Sequence, residues 1–191
     1  MHSGWLLPLC RREGTGLSLA SRPFPPSPPG DYESHAVGLD RNEVGALLVA
    51  AGVDAPAEHA LISLLALNGL RVSEAVGADM EALGLERGHR TLTVLRKGSK
   101  VVTVPLAPRS AGAVDLAVGE RLSGPIFVGS DGRRFDRHTA GRTVRRVARR
   151  AGVDKAIGRH TLRHAFISAS LGAGVPLRDV QEAASPGSGC R

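Results

Sequence analysis

Aromatic residues are scarce: tyrosine and tryptophan occur once each, phenylalanine four times, and together they make up 3% of 191 residues. A core must therefore be built from Leu, Val, Ile and Ala, and an apolar content of 42% suffices for one domain in a chain of this length. Cysteine is almost missing. Cys10 and Cys190, one near each terminus, make neither a disulfide framework nor a zinc-binding pattern, which places the chain in a reducing cytosol and implies no metal. No apolar run approaches a membrane span, because the longest, about Ala60 to Leu67, is interrupted by Ser63 and closed by Asn68-Gly69. The patch Trp5 to Leu9 precedes Arg11-Arg12, the wrong order for a signal peptide. Acidic residues are also in deficit: 18 Asp and Glu face 25 Lys and Arg, for a net charge of +7. Such a balance suits a polyanionic partner, nucleic acid foremost, and composition alone weighs that about evenly with the plainer reading of solubility charge in an Arg-rich chain.

Organisation changes sharply near residue 31. Residues 1–30 contain Ser21-Arg22-Pro23-Phe24-Pro25-Pro26-Ser27-Pro28-Pro29-Gly30, which blocks helix and ladder pairing and predicts a disordered Pro-rich leader. Asp40 and Glu43 form a capping-box pattern that opens a helix ending at Gly52, and a second helix is predicted from Pro56 to Leu67. From Thr91 the period becomes two, so Thr91 to Leu95 and Val101 to Val104 predict a hairpin around the polar tip Arg96-Lys97-Gly98-Ser99-Lys100. A helix from Arg109 to Val118, a short strand at Pro125 to Val128, and helices over 139–151, 160–173 and 177–184 complete the reading. Residues 186–191 read as an irregular tail. The fold class is α+β, mainly helical with a small antiparallel sheet, in one domain over 31–185.

Two strings carry the chemistry: Asn68-Gly69-Leu70-Arg71-Val72-Ser73-Glu74 and His160-Thr161-Leu162-Arg163-His164. Displacement at a phosphodiester builds charge on two non-bridging oxygens, and guanidinium groups suit both at once. Arg71 and Arg163 are the candidate clamp. Lys97, or Lys100 in its place, could protonate a leaving hydroxyl, and His160 could donate to the phosphate or manage the nucleophile's proton. In the helix over 139–151, Val144, Val147, Ala148 and Ala151 share one face while Arg142, Arg145, Arg146, Arg149 and Arg150 take the other. Solvated faces normally mix signs, so an arc of arginine alone points to phosphate contact; His164 joins these as a DNA-contact candidate. Taken singly, each residue has an ordinary explanation: Arg71 as a capping residue, His160 as a helix cap, the lysines as hairpin-tip residues.

Their order, however, resembles the catalytic domain of tyrosine-type site-specific DNA recombinases, the phage integrase family. Leu67 to Glu74 looks like the box of the first catalytic arginine, Val94 to Pro105 like the hairpin of the catalytic lysine at Lys97, and His160 to Phe166 like the second box, with His160 and Arg163. The resemblance spans about Asp40 to Ala184. It implies a compact, mainly helical domain that clasps duplex DNA and exchanges strands through a 3'-phosphotyrosyl intermediate, without metal or nucleotide cofactor, as several copies assembled on the DNA. The pattern departs from the family's after Ser185: no third box with His or Trp follows, and the single tyrosine, Tyr32, precedes the first box. The expectation is a truncated recombinase segment, inactive alone for want of its nucleophile and, without the family's last helices, exposing apolar surface around Phe166 and Val180. The competing expectations are a non-enzymatic DNA-binding protein, which shares the basic helix, and a basic interaction module, which leaves the boxes unexplained.

Overall fold

A computed structural model describes residues 38–184 except 97 and 159. The predicted leader, the irregular tail and Lys97 lie outside the described residues. The domain contains seven α-helices among the described residues, α1 (Arg41–Gly52), α2 (Pro56–Leu67), α3 (Val72–Val76), α4 (Pro108–Val118), α5 (Arg137–Arg150), α6 (Thr161–Gly172) and α7 (Leu177–Ala184), and a single 3-10 turn, Met80–Ala82. Three strands, β1 (Leu83–Glu86), β2 (His89–Arg96) and β3 (Lys100–Pro105), form an antiparallel sheet in the order β1-β2-β3. Among the described residues no helix is long and apolar enough to cross a membrane.

The predicted capping box opens α1: Glu43 N donates to Asp40 Oδ1 at 2.8 Å and Asp40 N to Glu43 Oε2 at 2.8 Å. Helix α2 is the centre of the core. Ala60 to Ala66 is buried all round, as expected of a helix without a polar face, and α1, α4, α5 and α6 pack on it. Pro56 begins α2 where its missing N–H costs nothing. The helix ends in a left-handed residue, Gly69 at φ +61°, which also admits the ring of Phe166 on α6: a Cβ there would lie within 3.0 Å of three ring atoms. The first box is thus fixed against the second.

The structure departs from the sequence reading in several places, the short helix α3 among them. Strand β1 has no counterpart in that reading; Glu86 pairs with His89 across a two-residue turn with Arg87 at φ 49° and Gly88 at φ 79°, the geometry of a tight hairpin in which Arg takes the place usually held by Asn. The apolar run Pro125 to Val128 makes only isolated bridges, Asp79 to Pro125 and Val128 to Arg134. Ile126 N bonds to Ala78 O at 3.1 Å, and Ile126 and Phe127 are buried without a strand. Arg96 belongs to the end of β2 and is buried, not part of an exposed tip. Finally, Val180 is buried and Phe166 half-buried, while Leu171, Val175 and Leu177 are the exposed apolar residues of that region.

A candidate arginine site for phosphate

Arg71 sits at the N-cap of α3, and Glu74, three residues on, returns its carboxylate to the Arg71 backbone N at 2.9 Å and to Nη1 at 2.7 Å. Glu74 is buried while the Arg71 side chain keeps 29% of its surface exposed, so the carboxylate holds the guanidinium at its base and leaves its other face open. From β2, Arg96 reaches the same carboxylate, with Nε 4.0 Å from Oε1. From α6, Arg163 donates to the carbonyl of Gly69, at the turn between α2 and α3. Its guanidinium is held below the usual arginine range, first by burial and then by the positive charges of Arg71 and Arg96, against which Glu74 acts in part. Two arginines 92 residues apart in sequence are therefore neighbours, as the clamp requires, and a third stands with them.

Two cavities open on the Arg71 side of this cluster, and Arg163 lines neither. One, of about 1050 Å³, is lined by Arg71, Glu74, Arg96, Gly98, Ser99 and Arg137 among others. The hairpin tip faces it, since Gly98 and Ser99 belong to that tip. The second, of about 380 Å³, is lined by Arg71, Val72, Ser73, Arg137, His138 and His160. Arg71 and Arg137 thus stand on the wall of both, and His160 joins Arg71 in the smaller one. Lys100 is exposed at the start of β3, paired in register with Arg96. His164 is exposed on α6 and lines neither cavity.

The arginine arc of α5 is divided. Its apolar face is buried as predicted, through Ala140, Thr143, Val144, Val147 and Ala148. Arg142, Arg145 and Arg149 are exposed. Arg146 and Arg150 instead bind carboxylates of the α1–α2 region: Arg146 pairs with the buried Glu58, and Arg150 with Glu58 at 2.9 Å and Asp54 at 2.6 Å. These ion pairs tie α5 to α2, a role that the sequence pattern does not separate from phosphate contact.

Four residues of the site escape the sequence reading. Glu74 stands in the first box, where the pattern alone gives it no role. Arg96 reads as part of the tip, although counting by twos from Leu92 and Val94 puts it on the inward face of β2. Arg137 and His138 open α5, where a cation opposes the helix dipole; that misfit is the available signal. Among the described residues no group of three or more His, Cys, Asp or Glu side chains could hold a metal ion.

A family model described as the phage integrase family matches residues 38–185. The chain belongs to the phage integrase family. Among curated relatives, the tyrosine recombinase XerD of Shewanella oneidensis is 33% identical over 154 residues, covering 75% of this chain and 51% of its own length. The integrase from mycobacterium phage Brujita, a solved structure, is 35% identical with a TM-score of 0.64, over 77% of this chain and 48% of that one. The site-specific recombinase XerH, solved bound to its difH substrate before cleavage, shares the fold at a TM-score of 0.65 and 23% identity, over 76% of this chain and 46% of that one. This integrase-family chain spans about half the length of the curated relatives it matches, and its fold is that of a tyrosine recombinase catalytic domain.

Proposed function

We propose that this domain grips a backbone phosphate of duplex DNA as the catalytic domain of a site-specific recombinase. The observation that carries the reading is the convergence of Arg71 and Arg163, from separate boxes, on one locus: Arg163 donates to the carbonyl of Gly69, two residues before Arg71, and Arg71 stands on the wall of two cavities. In this reading the two guanidiniums hold the non-bridging oxygens, His160 donates from the smaller cavity, and Lys97, with Lys100 as substitute, delivers the proton to the departing 5'-hydroxyl. Arg142, Arg145 and Arg149 of α5, with His164, contact flanking phosphates, whereas Arg146 and Arg150 are committed to Glu58 and Asp54. No metal or nucleotide takes part, and more than one copy works on the DNA.

Strand exchange in the family also needs a tyrosine hydroxyl to attack phosphorus, forming a 3'-phosphotyrosyl bond as the 5'-oxygen leaves with a proton. Residues 38–184 contain no tyrosine, so the described domain supplies the grip and not the nucleophile. The test is a pair of measurements on the full chain with a nicked duplex. Binding should weaken steeply with salt, and Arg71→Ala should lower affinity by about tenfold or more, while denaturing gels show no covalent protein–DNA adduct. Affinity unchanged in Arg71→Ala and in Arg163→Lys would defeat the clamp. An adduct would show that a nucleophile is present after all. A non-enzymatic DNA-binding protein would bind with the same salt dependence yet be indifferent to Arg71.

A further inference from the structure

Helix α3, which carries Arg71 at its N-cap, has five residues. At 1.5 Å per residue it is about 7.5 Å long, so its two ends move together. A helix this short is marginal alone, and its last carbonyls have no partner within it. What holds the far end of α3 therefore holds Arg71. Apolar packing does part of this, since Val72, Ala75 and Val76 are buried and α3 lies against α5. Such packing is non-directional, so the register between the two helices needs directional ties.

Arg134 supplies one. Its Nη1 donates to the carbonyl of Val76, the last residue of α3, at 3.2 Å, and its Nη2 pairs with the carboxylate of Asp79. A guanidinium forked over two acceptors fixes direction as well as distance, and a cation at a helix C-terminus complements the dipole. Arg134 is itself anchored: it bridges to Val128, Phe135 N donates to Phe127 O at 3.0 Å, and Asp136, two residues on, caps α5. The tie thus runs from the end of α3 to the start of α5. The segment after α3 is held from another side as well, by Ile126 N on Ala78 O at 3.1 Å and Met80 N on Gly124 O at 2.9 Å. Arg71 and Arg137, the first residue of α5, share the walls of both cavities, and Arg134 joins the elements that bear them.

We propose that Arg134 and Asp79 are a positioning pair for the DNA grip: they set where α3 presents Arg71 relative to the start of α5, without touching the DNA themselves. The functional consequence rests on the DNA reading; the tie to Arg71 rests on geometry alone. The sign of one substitution distinguishes this from simple electrostatics. Asp79 lines the larger cavity, where its charge would repel a phosphate, so charge alone predicts that removing it strengthens duplex binding. If Asp79 holds Arg134 in place, removing it weakens binding.

Affinity for the nicked duplex and NMR of the Arg71 side chain, both on the full chain, test the proposal. The Arg71 Nε–H signal is assigned by its loss in Arg71→Lys. Arg134→Met and Asp79→Ala should each shift that signal in the absence of DNA, and each should lower duplex affinity by about three- to tenfold. In an Arg71→Ala background both losses should shrink to less than about twofold, because the pair acts through Arg71. An Arg71 signal unmoved in both variants, a gain of affinity in Asp79→Ala, or a loss that persists undiminished in the Arg71→Ala background would overturn the proposal, the last by marking Arg134 as a direct DNA contact. The same spectra show whether each variant is folded; if one unfolds the other carries the test, and unfolding of both would mark the pair as purely structural and overturn it as well. Duplex binding indifferent to Arg71→Ala would remove the DNA reading instead, and the Arg71 signal would then decide the positioning claim by itself.

Discussion

Substituting Gly69 by alanine should damage fold and site through one atom. Gly69 is left-handed at φ +61°, where a Cβ costs about 1–2 kcal/mol. The same Cβ would lie within 3.0 Å of three ring atoms of Phe166, and the ring cannot yield freely because its helix is held by the buried Leu162 and Ala165; overpacking of this kind costs about 1–3 kcal/mol. The two effects share the same residue, so the expected loss is about 2–5 kcal/mol. Urea denaturation measures it. At a slope of roughly 2 kcal/mol per molar, the midpoint should fall by about 1 M or more. The carbonyl of Gly69 also receives Arg163, so the folded variant should bind duplex DNA more weakly, beyond what its unfolded fraction explains. A midpoint within about 0.3 M of the wild type would refute the claim that the α2 terminus and α6 are locked together at this glycine.

Other consequences follow from the charge arrangement. Glu74→Gln removes the buried countercharge of the arginine site and should cost about 3–5 kcal/mol in chemical denaturation, with inorganic phosphate restoring part of the loss. Replacing Arg142, Arg145 and Arg149 together by alanine should flatten the salt dependence of duplex binding by up to about 0.9 in log–log slope for each phosphate left without its arginine, whereas Arg150→Ala should lower thermal stability and leave the slope alone. Asp136 caps α5 by accepting from Thr139 N at 2.6 Å, and that donation, with Thr139's hydroxyl, holds its carboxyl below the ordinary 3.8. Its folded value is depressed, so the cap's contribution is full above that ordinary value and disappears as pH falls through the depressed one. Asp136→Asn, which caps without titrating, should remove this part of the acid sensitivity in a pH series of melting curves.

The elements most legible in sequence are those whose boundaries are set locally: the α1 capping box at Asp40 and Glu43, Pro56 at the start of α2, and the hairpin period across β2 and β3. Where partners decide, local pattern is insufficient. Pro125 to Val128 has the composition of a strand but bridges only to Asp79 and Arg134, and β1 is a strand because β2 stands beside it. The candidate site shows the same division. Arg71 and Arg163 are visible as members of two boxes, but that Glu74 organises them, and that Arg96 joins them, depends on α3 meeting the end of β2. The arginine arc of α5 looks uniform in sequence because Glu58 and Asp54, about 90 residues earlier in the chain, cannot be assigned to it by periodicity.

The central claim is that Arg71 and Arg163 hold one and the same phosphate. A crystal structure of the full chain with a short nicked duplex measures this directly. The account predicts a single backbone phosphate whose oxygens lie within about 3 Å of both guanidiniums, with α5 along the flanking backbone. A duplex seated on α5 alone, with no phosphate at Arg71 and Arg163, would contradict it.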